Sequence, residues 1–422
     1  MAKLREAVSP RPSRYVIGCM SGTSLDGLDV ALVKIEGRGL QMRASIVSSL
    51  AVGMGRLRPQ LKSLAEQVPR STGDIAAMQA DFCTLHVRAC KKLWREWQQR
   101  SHQSPKLSLI SVHGQTVFHA SPLSWQAFAP TQLSLELGCT VVSDLRAADI
   151  ACGGQGAPLT PLADSILFRP TARPARGASS RAPRAPHTII INLGGFCNFT
   201  ALTSPSAANA KRPPVITGGD ICACNLLLNA IAVAGWGKPF DTGGSHASAG
   251  TANPRLVASL MNILSEQSTS GRSLGTDDAV EPLATSLLRQ HSPNDVAAAA
   301  TQAISRTIAA RLRDECNVGN QGATRRGKYA TSDAPVVIFP ETRVILAGGG
   351  SKHRHLASSI GKCLGIAIST SDQWGVPIAA REAACWAVLG ALAEDGVPSG
   401  VASITGAVNA GRIRPGTWVF PM

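Results

Sequence analysis

The stretch Ile17-Gly18-Cys19-Met20-Ser21-Gly22-Thr23-Ser24-Leu25-Asp26-Gly27-Leu28-Asp29 decides how the chain is read, because Val30-Ala31-Leu32-Val33-Lys34-Ile35 follows it at once. Two apolar arms flank a polar bend, the pattern of a β-hairpin. Glycine in the bend lets backbone approach a ligand closely and adopt positive φ. Successive backbone N–H groups in such a bend form an anion cradle, and small hydroxyls add donors. Asp26 and Asp29 would repel phosphate directly but can hold a hydrated magnesium ion. The chemistry suggested is a metal-bridged nucleoside triphosphate, ATP with Mg2+. The other reading is a tight hairpin whose polar residues satisfy only its own backbone. No Gly-x-x-x-x-Gly-Lys-Ser/Thr occurs here, so the bend is not a P-loop.

At 422 residues the chain has room for two domains with full cores. Its 11 cysteines are odd in number and scattered, which points to a reducing, cytoplasmic setting. Cys222-Ala223-Cys224 is the one close pair, and nothing nearby completes a zinc site. No apolar run is long enough to span a membrane. Met1 to Arg14 is basic without an apolar run, so it is expected to be a disordered leader and not a secretory signal. The net charge of +15 raises nucleic acid as a partner. Much of that charge, however, sits in the Arg/Pro/Ala/Ser segment from Arg169 to Arg184. Residues 170–187 therefore read as a solvated, disordered insertion, and 317–342 as a second. No aromatic residue interleaves the basic segment, so specific nucleic-acid binding is not expected.

Asp74 to Arg100 predicts a long amphipathic helix with Ser71 or Thr72 as its cap. Leu107 to Val112 predicts a buried strand ending in His113-Gly114-Gln115-Thr116-Val117-Phe118-His119. Polar clusters at the C-terminal ends of strands are where ligands sit in α/β sheets, although two satisfied histidines at a turn would look the same. Thr140 to Asp149 is another strand-to-loop stretch, leading to Gly153-Gly154-Gln155-Gly156-Ala157-Pro158-Leu159. His187 to Thr200 repeats the opening logic, with Gly194 and Gly195 at the turn between two apolar arms. Asp220 is expected at a strand tip, before an apolar helix from Leu226 to Ala234 whose N-terminus could face phosphate. Val344 to Ala347 runs into Gly348, Gly349 and Gly350, as expected where backbone lies against a base or ribose, or in a simple loop. Arg381 to Leu389 is an apolar helix whose Glu382 could simply complement the helix dipole.

Met20 to Asp29 resembles one family, the anhydro-N-acetylmuramic acid kinases of the actin/hexokinase/Hsp70 superfamily, and further matches run from Tyr15 to Pro415. The resemblance implies an α/β, two-lobed actin-like ATPase (ribonuclease H-like) fold with ATP in the interlobe cleft. The first lobe would span 15–150 and be completed by 395–422; the second would span 151–394. It implies a phosphate cradle at Gly22, Thr23, Ser24, Leu25, Asp26, Gly27, Leu28 and Asp29, with Gly194 and Gly195 opposite and the adenosine at Gly348, Gly349 and Gly350. His113, Gln115 and Thr116 would line the sugar cleft, and Asp144, Arg146 and Asp149 match the family pattern. Asp220 would be the catalytic base, with Glu382 at the sugar and Asp241 as runner-up base. The implied reaction opens the 1,6-anhydro ring of anhydro-N-acetylmuramic acid with water and phosphorylates O6, in a homodimeric enzyme of cell-wall sugar recycling.

One stretch departs from the pattern. The family carries Asp-Thr-Gly-Pro-Gly-Asn where this chain has Asp220-Ile221-Cys222-Ala223-Cys224-Asn225. A cysteine at a position needing positive φ would cost roughly 1–2 kcal/mol. The altered loop leaves open a catalytically impaired paralogue, or a kinase acting on another amino sugar.

Overall fold

The computed structural model describes residues 13–22, 25, 27–169, 187–203, 214–269, 280–318 and 342–422. Met1 to Pro12 of the expected leader, nearly all of both expected insertions, and Thr23, Ser24 and Asp26 of the bend lie outside the described residues.

The opening hairpin forms as its apolar arms predict: β1 (Ser13–Ser21) pairs antiparallel with β2 (Leu28–Glu36), Ser21 opposite Leu28. A third antiparallel strand, β3 (Arg43–Val52), follows, and its alternating exposed and half-buried residues mark a sheet edge. Helices α1 (Leu57–Ala65) and α2 (Thr72–Ser101) come next. Ser71 caps α2, its hydroxyl accepting from the Asp74 N–H at 3.1 Å. The first lobe continues through β4 (Leu107–Val112), the small hairpin β5 (Gln115–Ala120) and β6 (Leu123–Ala127), α3 (Thr131–Leu137), β7 (Thr140–Ser143), α4 (Leu145–Ala151) and α5 (Thr160–Leu167).

The second lobe begins with β8 (His187–Leu193), β9 (Phe196–Thr203) and β10 (Val215–Ala223). Five helices follow: α6 (Asn225–Trp236), α7 (Ser245–Ala249), α8 (Pro254–Thr269), α9 (Glu281–Leu288) and α10 (Pro293–Val318). The lobe closes with β11 (Arg343–Ala347), α11 (Arg354–Leu364) and β12 (Ile368–Thr370). The chain ends through α12 (Arg381–Glu394), α13 (Ala402–Thr405) and β13 (Thr417–Val419).

The two sheets share one plan. The first has the order β3-β2-β1-β4-β7, with β13 added at its edge; the second has the order β10-β9-β8-β11-β12. In each, three consecutive strands pair antiparallel, and the first of them then runs parallel to the fourth, and the fourth to the fifth. This is the ribonuclease H-like order, present twice. The fold is the two-lobed, actin-like α/β arrangement that the family resemblance implied.

Two helices sit differently from the expected boundaries: α5, which packs on α12 and β3 as well as on β9 and β10, and α12. The division at 394/395 assigns α12 to the second lobe, yet α12 packs on β1, β2, β4 and α5. It shares a core with Val16, Ala31, Val33, Leu109 and Val142 of the first sheet. The reason is close packing: a Cβ on Gly18 would fall 1.9 Å from the Ala383 carbonyl oxygen and 2.4 Å from the Ala387 nitrogen. A bare backbone at Gly18 lets α12 lie directly on β1, with its Ala-rich turns buried on every side. Its start is fixed by a fully buried ion pair: Asp164 on α5 accepts from Arg381 Nε at 3.1 Å and from Arg381 Nη2, and from Thr200 Oγ1 on β9 at 2.8 Å.

Candidate active site

The bend of the first hairpin is tied to the segment after β4. The His113 N–H donates to the Cys19 carbonyl at 3.0 Å, and Ser21 Oγ donates to the Gly114 carbonyl at 3.1 Å. Gln115 Nε2 donates to the Gly22 carbonyl at 3.4 Å. Gly114 takes φ +77°, which turns the chain from β4 into β5 and sets His113 and Gln115 beneath the bend. Within the bend, the Leu25 N–H closes a turn onto the Gly22 carbonyl at 3.1 Å. Leu25 and Leu28 are buried, so any ligand contact at these two positions is through backbone. Gly27 lies against β3, where a Cβ would fall 2.8 Å from the Val52 carbonyl.

His113 is buried, and its Nε2 accepts from Arg146 Nε at 3.3 Å and from Arg146 Nη2 at 3.0 Å. Those donors place the imidazole proton on Nδ1. Burial first, and the Arg146 charge second, push this imidazole well below its ordinary range, so it is neutral. Its ring lies against Trp386 of α12, centroids 4.6 Å apart. The Thr116 hydroxyl stands 3.5 Å from the same Nε2.

Arg146, on the first turn of α4, is the centre of the charge arrangement. Nη1 donates to the Gly156 carbonyl at 2.7 Å, which ties it to the Gly153–Leu159 loop. Burial lowers its guanidinium to about 10, opposed by the carboxylates of Asp220, Asp144, Asp149 and Glu382. Asp220 comes from β10 of the second lobe and Glu382 from α12 on the first, and the charge of each acts on this one buried cation. Asp149 is also structural: its carboxylate accepts from the Gly156 N–H at 2.8 Å and from Thr405 Oγ1 at 2.8 Å.

Asp220 is not at a strand tip as expected. It lies inside β10 opposite Asn198, and the register shifts between Asp220 and Cys222. A bulge there re-aims side chains without ending the strand. Ile221, Cys222, Ala223 and Cys224 are fully buried in the second core, and none takes positive φ. The strain expected of cysteines at glycine positions is therefore absent. The expected phosphate contact at the start of α6 also changes. The Cys224 and Leu226 N–H groups donate to the Gly195 carbonyl at 2.8 and 3.2 Å, and the Asn225 N–H donates to that of Gly194 at 3.1 Å. These first N–H groups are used within the protein, and Gly194 and Gly195 serve here by their carbonyls.

Gly348, Gly349 and Gly350 pack against the end of β8. Gly348 has φ +77°, and a Cβ there would fall 2.7 Å from Asn192 Oδ1; one on Gly350 would fall 2.6 Å from Asn225 Oδ1. Asp241 is occupied elsewhere. Its carboxylate accepts from the N–H groups of His246 and Ala247 at 3.0 and 2.9 Å, capping α7. Asp241 is thereby committed to α7, while Asp220, whose charge acts on Arg146, is the candidate base.

Sequence reasoning did not single out Asn192 or Trp386, and noted Arg146 only as a pattern match. Asn192 Nδ2 donates to Glu382 Oε1 at 3.1 Å. Its place just before a Gly-Gly turn, at a strand end, was the available signal. Among the described residues, His113 Nδ1, Gln115 Oε1 and Asn192 Oδ1 are buried with no hydrogen-bond partner. Buried polar atoms are nearly always paired, and these three belong to a longer set of such atoms, each a place where a polar ligand could supply the missing partner. No group of three or more His, Cys, Asp or Glu among the described residues forms a metal cluster. Asp29 carries the described part of the expected magnesium pair, and Asp26 lies outside the described residues.

The profile of the family described as anhydro-N-acetylmuramic acid kinase matches residues 14–322 and 330–415. The chain belongs to that family. Named anhydro-N-acetylmuramic acid kinases include one from Salinibacter ruber, 29% identical over 418 residues and covering 95% of both chains. The kinase from Bordetella avium is 30% identical over 404 residues, 94% of each chain. That from Rhodococcus erythropolis is 30% identical over 429 residues, 96% of this chain and 95% of its own. A xylulose kinase from Lactobacillus acidophilus overlays with a TM-score of 0.38 at 11% identity, covering 97% of this chain and 94% of its own, too loosely to add to the strand order. Anhydro-N-acetylmuramic acid kinase is thus the family in which the Asp220 loop and the Arg146 cluster are to be understood.

Proposed function

We propose that this chain is the ATP-dependent kinase that opens the 1,6-anhydro ring of anhydro-N-acetylmuramic acid and phosphorylates O6. The observation that carries the proposal at the level of the site is the buried Arg146 guanidinium, hydrogen-bonded to His113 and the Gly156 carbonyl, on which the charges of Asp220 and Glu382 both act. Asp220 takes a proton from water as the water oxygen bonds to the anomeric carbon. The bond from that carbon to O6 breaks, and O6 keeps the electron pair. O6 then bonds to the γ-phosphorus of ATP, and the bridging oxygen leaves with ADP. The products are N-acetylmuramic acid 6-phosphate, ADP and the proton that Asp220 took from water, which it returns to solvent. Asp220 acts as the base within the field of the Arg146 charge. Glu382 holds the sugar at the bridge, with His113, Gln115 and Thr116 lining the cleft. Phosphoryl transfer rests on positioning and charge neutralisation by the bend from Gly22 to Asp29. Magnesium, held on the triphosphate beside Asp29 and Asp26, would neutralise phosphate charge there.

The impaired-paralogue alternative is not favoured: the family match covers the altered loop, and the replaced residues lie in the core without positive φ. No helix among the described residues is long and apolar enough to cross a membrane. A cytoplasmic homodimer remains part of the proposal. The test is purified protein with ATP, Mg2+ and the anhydro sugar, assayed for ADP and sugar phosphate. Asp220→Asn should lower kcat/KM by ~10^2 to 10^4 at unchanged unfolding temperature. Wild-type rates from Asp220→Asn would reject Asp220 as the base, and absence of sugar phosphate from the unmutated protein would reject the activity.

A further inference from the structure

Asn192 bridges the two halves of the site. It is 5% exposed and lies at the end of β8, opposite Ala347 on one side and Asn198 on the other. Its Nδ2 donates to Glu382 Oε1 at 3.1 Å, across the junction between the second sheet and α12. Only the NH2 end of an amide can face a carboxylate, so the neighbour fixes the orientation of this side chain. Its Oδ1 is thereby turned toward Gly348, where the missing Cβ leaves room for it, and no described residue donates to it. Among the described residues, Glu382 has this single hydrogen bond, so its second oxygen is uncommitted.

We propose that Asn192 is a positioning residue for this reaction: it grips one oxygen of Glu382 so that the other is presented to the sugar. This rests on the reading of Glu382 as a sugar-site carboxylate given above. A donor is required at position 192, because a free carboxylate can rotate about its terminal torsions while a gripped one cannot. The grip also joins the sugar-side carboxylate to the glycine run beside Oδ1, so Glu382 is oriented from the lobe that carries Asp220.

Other charged groups act on Glu382. Arg146 reaches it from α4 and also carries Asp220 of β10 in its field; Arg381 and Cys385 reach it from α12 itself, with Asp164 of α5 paired to Arg381. All of these are unchanged in a variant at 192, so a new pH dependence there belongs to the introduced group. The informative variant is Asn192→Asp, which keeps the shape and replaces the donor by an acid. Two carboxyls at this distance cannot both ionise without repulsion, so they share a proton up to a raised apparent pKa. The protonated pair retains an O–H donor to Glu382; the doubly ionised pair does not.

Asn192→Asp should therefore lose ~100-fold or more in kcat/KM at pH 8 and recover at least ~10-fold, relative to the unmutated protein, on going to pH 6. Asn192→Ala should lose activity by a similar factor with no such recovery. A melting scan on each variant separates these effects from unfolding. An Asn192→Asp profile parallel to that of the unmutated protein would overturn the proposal, as would full activity of Asn192→Ala. Failure of the underlying reading is distinguishable: Glu382→Gln would then match the unmutated protein, whatever the variants at 192 do.

Discussion

Asp164→Ala tests the idea that a buried ion pair sets the start of α12. Asp164 is 0% exposed and Arg381 1% exposed. The carboxylate receives Arg381 Nε, Arg381 Nη2 and the Thr200 hydroxyl, so it holds α5, β9 and α12 together. Removing it strands a guanidinium that cannot lose its proton among Ala, Val and Leu side chains. Breaking a buried pair from one side costs about 3–5 kcal/mol, and the abandoned Thr200 hydroxyl adds about 1 kcal/mol. The expected total is about 4–6 kcal/mol, a large share of the margin of most folded proteins. Urea unfolding followed by far-UV circular dichroism reads it as a lower midpoint at unchanged slope. Replacing both partners, as in Asp164→Leu with Arg381→Met, should recover most of the loss, because desolvation of the two charges disappears with them. Activity adds a second reading: Glu382 follows Arg381 directly, so Asp164→Ala should also lower kcat at temperatures where it stays folded. A wild-type midpoint for Asp164→Ala, or a double variant no more stable than the single, would refute the reasoning.

The remaining tests are shorter. Gly18→Ala places a Cβ 1.9 Å from the Ala383 oxygen, so α12 must move; a loss of about 1–3 kcal/mol in urea unfolding is expected, together with reduced kcat. Gly348→Ala combines positive φ with a 2.7 Å approach to Asn192 Oδ1, and should raise the KM for ATP before it lowers the unfolding midpoint. Burial pushes His86, packed on Phe82 and Phe128, down from 6.5 to about 4. Below pH 6.5 the unfolded chain takes up a proton that the folded chain refuses, so stability falls until about pH 4, by about 3 kcal/mol. His86→Phe should flatten that fall in the urea midpoint, and an unchanged acid-side slope would show that His86 does not cause it.

The hairpin that opens each lobe was readable because it is written in local pattern, while the sheet plan was implied by the family resemblance. Apolar arms around Gly22 and again around Gly194 gave the two hairpins, and the long stride of α2 gave its helix and cap. The strand β3 escaped because its residues alternate only weakly at a sheet edge. The placement of α12 escaped for a different reason. A helix that is apolar on every face carries no directional stripe, and only the bare Gly18 backbone on β1 says where it lies. The site followed the same division. His113 and Glu382 stand at element ends, where chemistry can be read from the sequence, whereas Asp220 lies inside β10 and its expected place at a strand tip was wrong. Asn192 and Arg146 take their importance from residues 190 and 74 positions away, Glu382 and Asp220, and no local pattern encodes that.

The altered loop is accommodated by burial in this chain. Four residues between Asp220 and Asn225 differ from the family pattern, and all four side chains are fully buried in the second core. Two positions look outward from that core. Asp220 enters the field of Arg146, and Asn225 donates from Nδ2 to the Leu193 carbonyl at 2.9 Å while its Oδ1 borders Gly350. Glycine at a tight loop serves backbone freedom, but β10 here runs through Ala223 with a single bulge and needs none. Apolar side chains in place of glycine then add buried area, at about 25 cal/mol per Å2, to the core beneath the base. The four residues that follow Asp220 are packed in the second core, and its carboxylate acts on the Arg146 charge.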